Sequence, residues 1–95
     1  MTSKVYFTKD ISPESVVRLY NALGIGLPGK IAMKVHSGER GNTNFLRPEF
    51  WKPLVDELKG TVVECNTAYG DRFDGVRDTT ESHMKLLKEH GWSTQ

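Results

Sequence analysis

The sequence predicts a small α/β domain with three strands and three helices in the order β-α-β-α-β-α. Two observations lead to this prediction: short β-branched or aromatic runs alternate with longer stretches of helical periodicity, and glycines follow the helical stretches. Strands that alternate with helices usually form a parallel sheet through right-handed crossovers. We therefore expect one domain over residues 1–95, with a three-stranded parallel sheet in a Rossmann-like half-domain arrangement.

The first predicted unit is a strand followed by a helix. Residues 4–8, KVYFT, are short, aromatic and β-branched, which is typical of a buried strand. The helix is expected to follow Ser12, a good N-cap residue, with Pro13 in the first helical position. Gly24 suits the C-terminal cap. This unit is expected to supply the first strand of the sheet.

The second predicted unit is again a strand followed by a helix. Residues 30–36, KIAMKVH, alternate in polarity, so Lys34 and His36 should project from the same face of the strand. Apolar spacing over residues 47–60 predicts a helix, but Pro53 lies inside it. Because proline disrupts a helix interior, we expect a short first turn with a second helix starting near Pro53, or a kink.

The third predicted unit completes the sheet. Residues 61–65, TVVEC, are typical of a buried strand, and Cys65 at its end is expected to be a small core residue. The last helix is expected to begin at a capping box of Asp78 and Glu81 and to end at Gly91.

Composition and charge exclude several classes of protein. Thirteen basic and twelve acidic residues are well mixed, so the net charge of +1 provides no basic surface for nucleic acid or anionic lipid. No stretch approaches about 18 apolar residues, and the first residues lack the apolar run of a signal peptide. We therefore expect a cytoplasmic protein without membrane contact. The single cysteine, Cys65, excludes an internal disulfide and a four-cysteine metal site.

The short chain limits the size of the core. A domain of this length buries only about 60 to 65% of the surface of its unfolded chain. Three parallel strands also need cover on both faces of the sheet. We therefore expect the chain to form a homo-oligomer or to associate with a partner domain.

Two polar loops are predicted to form a ligand site. Each follows the carboxyl end of a predicted strand, where ligands bind in open parallel sheets because loops and helix N-termini gather there. Gly38 and Gly41 are compatible with positive φ angles and with an anion-binding nest of backbone N–H groups. Arg47 and Arg72 can each bind a carboxylate or phosphate through two parallel hydrogen bonds. The expected ligand is therefore a small anion.

The candidate site residues have separate expected roles. His36 is the candidate acid/base, with Lys34 and Glu39 as further catalytic candidates. The candidate ligand-binding residues are Gly38, Gly41, Asn42, Thr43, Arg47, Asn66, Thr67, Tyr69 and Arg72. Asparagine and threonine also have a structural interpretation, since both commonly satisfy turns and helix caps.

Metal binding is a further alternative for the same region. His36, Glu39 and His83 carry suitable ligand atoms, but no two of them have the close spacing of a recognised metal motif. His83 lies one helical turn from a pair of leucines, which favours a position beside the core or at a helix end. We therefore expect no metal site.

Three strings, MKVHSGERGNTNFLRP, ECNTAYGDR and SHMKLLKEHGW, resemble the opening segment of the family known as domain of unknown function 362. Longer members of that family are described as uncharacterised iron–sulfur centre proteins. The resemblance extends over residues 4–92 and implies that this chain corresponds to the N-terminal part of a longer protein. The matching positions are Lys34, His36, Gly38, Glu39, Gly41, Asn42, Thr43, Arg47, Pro48, Asn66, Thr67, Tyr69, Arg72, His83, His90 and Gly91.

The resemblance implies a site at these positions without naming its chemistry. The longer relatives suggest an iron–sulfur cluster, but the cluster-binding cysteines are absent from this chain, so we expect no cofactor within it. Two functions follow. The chain either contributes a site for a small anionic ligand, with or without catalysis, or acts as a non-catalytic docking module for an iron–sulfur partner or a missing C-terminal domain.

Overall fold

The computed structural model describes residues 2–70 and 75–92. Within these ranges the chain forms three helices and a two-stranded parallel sheet, which confirms the mixed α/β class. In chain order the elements are α1 (Pro13–Leu23), β1 (Ala32–Lys34), α2 (Pro48–Leu58), β2 (Thr61–Val63) and α3 (Thr80–Glu89). None of the helices in these ranges is long and apolar enough to cross a membrane.

The sheet is a short parallel ladder between β1 and β2. The Thr61 N–H donates to the Ile31 carbonyl at 2.9 Å, and the Val35 N–H donates to the Val63 carbonyl at 3.2 Å. In a parallel ladder, alternate residues of a strand bond to the same neighbour. Val62 therefore turns its backbone N–H and C=O towards the outer edge of β2, away from β1.

The alternation predicted around β1 is confirmed. Val35 is buried and Ile31 and Met33 are half-buried, whereas Lys34 and His36 are exposed. The period of two follows from the pleat of the strand, which sends successive side chains to opposite faces. Lys34 and His36 therefore leave the sheet on the same side.

The predicted first strand does not form among the described residues. Residues 4–8 have no regular secondary structure, and the sheet that the structure describes has two strands rather than three. Val5 is 88% exposed and Phe7 is 80% exposed. The local pattern identifies a segment suited to a strand, but a strand also needs an adjacent edge, and this segment lies beside α1 instead.

α1 begins and ends as predicted. The Ser12 side chain accepts from the Ser15 N–H, and the Ser15 hydroxyl accepts from the Ser12 N–H, both at 3.2 Å. Gly24 closes the helix in the left-handed conformation, with a φ of 64°. α1 packs against α2.

α2 is one continuous helix, so the prediction of a separate helix starting near Pro53 is wrong. Pro53 lies in the second turn, where its missing N–H deprives only the Glu49 carbonyl of its usual partner. Glu49 is exposed, so water can satisfy this carbonyl. Lys59, with a φ of 50°, caps the helix, and the Gly60 N–H donates to the Val55 carbonyl at 3.0 Å.

α3 has a different N-cap from the predicted one. Thr79 caps the helix, and its hydroxyl accepts from the Ser82 N–H at 3.2 Å. Asp78 instead turns its carboxylate against Gly70 in the preceding loop. Asp78 and Thr79 both suit an N-cap, and the tertiary contact of Asp78 decides between them.

The buried core is small. The buried apolar side chains of the described residues are Val35, Phe45, Leu54, Leu86 and Trp92, and the buried polar ones are Ser15, Ser37, Arg77 and His83. Cys65 is exposed, contrary to the prediction, because the chain leaves the sheet before reaching it. Nearly as many polar as apolar side chains are buried, so the interior depends on hydrogen bonds as well as on apolar packing.

The isolated chain exposes more surface than a compact monomer. Its accessible surface is 7359 Å², whereas a compact protein of 10.7 kDa exposes about 5,500 Å². Its radius of gyration is 15.5 Å, whereas about 12 Å is expected for 95 residues. Both measures agree with the expectation of a thin core.

Candidate functional site

A network centred on Glu64 joins the two polar loops at the carboxyl end of the sheet. Glu64 directly follows β2 and forms an ion pair with Lys34. It also accepts from the N–H and the hydroxyl of Ser37, at 3.0 and 3.1 Å, and from the Cys65 N–H at 2.9 Å. The Arg77 guanidinium lies 3.7 Å away. A single carboxylate therefore contacts residues of both loops.

Glu64 is ionised at neutral pH. Burial alone would raise the pKa of its carboxyl group, but hydrogen bonds from Lys34 and from the N–H groups of Ser37 and Cys65 lower that pKa to about 2. The side chain is only 6% exposed. The carboxylate thus accepts hydrogen bonds from the Ser37 and Cys65 N–H groups, so these groups are not available to bind an external anion.

Glu39 forms a second junction between the loops. Its carboxylate accepts from Arg77 Nε at 2.8 Å, and from the N–H groups of Val76 at 3.1 Å and Arg40 at 2.9 Å. Burial opposes ionisation, but these hydrogen bonds outweigh it and lower the pKa of Glu39. Arg77 also donates to the Tyr69 hydroxyl at 2.7 Å. The predicted residues Glu39 and Tyr69 are therefore brought together by Arg77.

His83 links this network to the start of α3. Its Nε2 lies 3.2 Å from Ser37 Oγ, and its Nδ1 lies 3.0 Å from Asn66 Oδ1. Asn66 Nδ2 in turn donates to the Thr80 hydroxyl at 3.2 Å. Burial lowers the pKa of His83, which the negative charge of Glu64 opposes, so the neutral ring is favoured.

Serine, histidine and asparagine in this order resemble a nucleophile, a base and an orienting group. Ser37, however, has no exposed surface, so a substrate cannot reach its hydroxyl. The arrangement therefore fixes the first loop to α3. His83 is buried, in agreement with the position beside the core that the sequence predicts.

A stack of three side chains holds Arg47 in place. The rings of Phe45 and His90 lie 4.6 Å apart at 19°, and Arg47 Cζ lies 4.3 Å from the Phe45 ring centroid. His90 Nδ1 lies 2.9 Å from the Ser37 carbonyl, to which Trp92 Nε1 also donates at 3.2 Å. The stack thus ties Arg47 to the end of α3.

Gly38 and Gly41 have the predicted positive φ angles, 88° and 74°. A Cβ atom at Gly38 would lie 2.5 Å from the Phe45 ring, whereas Gly41 faces open space. The Gly38 N–H donates to His36 Nδ1 at 2.9 Å, and the Asn42 N–H donates to the Glu39 carbonyl at 3.0 Å. The Gly38 and Asn42 N–H groups thus donate to acceptors within the loop. Ligand recognition at this loop therefore depends mainly on side chains.

Other predicted site residues make turn contacts. Asn42 Oδ1 accepts from the Asn44 N–H at 2.8 Å, and the Thr67 hydroxyl donates to the Tyr69 carbonyl at 2.8 Å. Thr43 is exposed in the same turn region as Asn42. For Asn42 and Thr67 these contacts agree with the structural interpretation of asparagine and threonine in loops.

Two predicted site residues keep open hydrogen-bonding groups. Within the described ranges, His36 Nε2 has no partner, although its Nδ1 accepts from Gly38. In the same ranges the Arg47 guanidinium stacks on Phe45 but forms no ion pair. Arg72, the other predicted ligand-binding arginine, lies outside the described residues.

Glu64 is the central residue that sequence reasoning missed. It lies at the end of TVVE, a mainly β-branched run, where an ionisable side chain is unusual. A charge that is buried with a strand must find partners, because burying an unpaired charge is costly. That combination is the signal that could have identified Glu64.

The described residues contain no group of three His, Cys, Asp or Glu side chains arranged to hold a metal ion. His36, Glu39 and His83 take part in separate contacts. An iron–sulfur cluster is usually held by four cysteine thiolates, and this chain has one cysteine. The residues of this chain therefore do not fit such a cluster.

Comparisons of the chain with models of protein families, with curated proteins and with solved structures found no match. The resemblance to the family known as domain of unknown function 362 therefore stays a prediction based on the three strings quoted above.

Proposed function

We propose that this chain is a binding module for a small anionic ligand, with its site between the two polar loops at the carboxyl ends of β1 and β2. The observation that carries the proposal is the internal pairing of the two carboxylates there. Glu64 pairs with Lys34, and Glu39 pairs with Arg77. These charges cancel, and the exposed Arg47, which has no ion-pair partner among the described residues, adds a positive charge to the first loop.

Arg47 is the main recognition residue in this proposal. Stacking on Phe45 restrains the guanidinium, and no described residue accepts a hydrogen bond from its N–H donors, which suits them to a carboxylate or phosphate. A restrained side chain loses less conformational entropy when the ligand binds. This arrangement supports recognition of an anion by two parallel hydrogen bonds.

His36 would supply the second contact to the ligand. The Gly38 N–H holds Nδ1, which leaves Nε2 to donate to the ligand, or to exchange a proton with it. Lys34 and Glu39 act mainly through the internal pairs that hold the loops. His36 is therefore the residue that would carry any acid/base step.

The test is thermal unfolding with inorganic phosphate and a panel of small dicarboxylates. A ligand at a hundred times its dissociation constant should stabilise the native chain by about 2.7 kcal/mol. Arg47→Ala should abolish the shift, and His36→Ala should reduce it. Arg18→Ala is the matched control, because Arg18 is an exposed arginine paired with Asp10 near the start of α1. An equal shift in the Arg47→Ala variant, or no shift in the folded wild type, would contradict the proposal.

The second candidate function is a non-catalytic docking module, which the exposed surface favours. The excess over a compact monomer is roughly 1,900 Å², whereas a standard interface buries about 800 Å² on each partner. The resemblance drawn from the sequence suggests an iron–sulfur protein or a C-terminal domain as the partner. Co-sedimentation of the chain with such a partner would support the docking function, and a failure to co-sediment would count against the docking function.

A further inference from the structure

A groove of about 910 Å³ runs along β2 between α2 and α3. Its apolar lining includes Val55 of α2, Val62 of β2, and Met84 and Leu87 of α3. Val62 also directs its backbone N–H and C=O to the outer edge of the sheet. The groove therefore combines a strand edge with apolar side chains on both helices, beside polar lining residues such as Lys52, Asp56 and Thr80. A strand edge flanked by apolar side chains is the surface that an added strand needs.

The segment at residues 4–8 has the complementary properties. Val5 and Phe7 are apolar, two positions apart and highly exposed, so in a strand they would lie on one face. The Ser15 hydroxyl donates to the Asp10 carbonyl at 2.5 Å and so attaches the base of the segment to α1. Among the described residues, this segment pairs with no strand edge, and the outer edge of β2 pairs with no strand.

We propose that residues 4–8 of one copy of this chain add to β2 of a second copy as a third strand, and that the exchange is reciprocal. Val5 and Phe7 would enter the groove and contact Val62 and Met84. A symmetric dimer needs both complementary surfaces on the same chain, and both are present here. Open edges and unpaired strand segments are the features through which proteins exchange strands.

The exposed area agrees with this occupant. Obligate homodimers bury about 2,000 to 5,000 Å² in total, and the excess of roughly 1,900 Å² on each chain is sufficient for an interface in that range. The net charge of +1 adds little repulsion between two copies. This inference does not depend on anion binding, although the groove lining includes Glu64, Asn66 and His83 of the loop network. It names a second copy of the chain as the partner that covers the exposed surface.

The first experiment is sedimentation velocity of the purified chain from low to high micromolar concentration. The expected species has twice the mass of one 10.7 kDa chain. The double variant Val5→Asp, Phe7→Asp should weaken dimerisation by roughly a hundredfold or more, because two apolar side chains leave the groove. Both residues are exposed in the single chain, so circular dichroism should be unchanged. Ile11→Asp is the matched control, since Ile11 is 81% exposed outside the segment, and it should stay dimeric.

A second experiment locates the acceptor surface. A synthetic peptide of residues 2–11 should bind the double variant, whose groove is empty. The same peptide with aspartate at positions 5 and 7 should not bind. Met84→Glu in the groove wall should abolish binding without unfolding the chain, because Met84 is 36% exposed.

Several results would overturn the inference. One is a wild type that sediments as a monomer over the whole range, and another is a double variant that stays as dimeric as the wild type. Peptide binding that survives Met84→Glu would place the acceptor outside the groove. A monomer whose residues 4–8 resist hydrogen exchange would mean that the segment enters its own groove. Arg47→Ala should leave the dimer intact, so failure of the anion proposal can be distinguished from failure of the dimer.

Discussion

The Glu64 carboxylate accepts from both the N–H and the hydroxyl of Ser37, at 3.0 and 3.1 Å, across 27 positions of sequence. Ser37 lies just after β1, and Glu64 lies just after β2. The two bonds therefore fasten the points where both polar loops leave the sheet. In a sheet of two short strands, this junction contributes a large part of what keeps the loops in register.

Removing the charge of Glu64 should weaken the fold strongly. Glu64→Gln keeps the size of the side chain but leaves Lys34 and Arg77 without their shared carboxylate. We expect the free energy of unfolding to fall by about 1.5 to 3 kcal/mol, because the N–H groups of Ser37 and Cys65 lose a charged acceptor, whereas Lys34 is exposed and Arg77 keeps Glu39 as a partner. Urea denaturation measures this change. The control is Asp56→Asn, which breaks the exposed pair with Lys52 and should cost less than about 0.5 kcal/mol; equal effects of the two variants would contradict the role of Glu64.

Acid should weaken the fold in two stages. Burial lowers the pKa of His83 below its usual 6.5, so its contribution is complete above pH 6.5 and is lost as the pH falls through the lowered value. The pKa of Glu64 is lowered from 4.5 to about 2, so its contribution is lost between those values, and Glu39 acts in the same direction.

Thermal midpoints measured across this pH range should therefore decline below pH 6.5 and more steeply below pH 4.5. His83→Gln should reduce the first decline, and Glu64→Gln should reduce the second. A wild-type midpoint that stays constant down to pH 4.5 would show that His83 does not favour its neutral form in the folded chain.

The two loop glycines should differ in their tolerance of alanine. Both have positive φ angles, which cost an alanine about 1 kcal/mol. At Gly38 the new Cβ atom would also lie 2.5 Å from the Phe45 ring, so overpacking should bring the loss to about 2 kcal/mol or more. Gly41→Ala is the matched control without a clash. Chemical denaturation of both variants tests this difference, and equal losses would be inconsistent with close packing at Gly38.

Cys65 should be accessible in the folded protein. Its thiol is exposed, so a chromogenic disulfide reagent should react with it in the absence of denaturant. Cys65→Ser should change the free energy of unfolding by less than about 0.5 kcal/mol. Labelling that requires unfolding would instead support the buried position expected from the sequence.

Several features were predictable because their causes are local. The N-cap at Ser12 and the C-cap at Gly24 depend on side chains within a few residues of the helix ends. The alternation that exposes Lys34 and His36 follows from the pleat of one strand. The positive φ angle of Gly38 also belongs to a single loop.

Other features depend on residues that are distant in sequence. Thr79 caps α3 because Asp78 contacts Gly70 in the preceding loop. Residues 4–8 have the composition of a strand, but strand formation needs an edge that composition does not supply. In each case a long-range contact or its absence overrides the local preference.

The sequence alone determined the mixed α/β class, the helix caps at both ends of α1 and the position of two polar loops after strands. Only the tertiary structure decided which charged residues of those loops and of the adjacent strands pair with each other. It assigned Glu64 and Glu39 to internal pairs with Lys34 and Arg77, and it left Arg47 stacked but without an ion pair among the described residues. The physical reason is that a charge can be assigned as paired or open only when its spatial neighbours are known, and the partners here lie 30 to 38 residues apart.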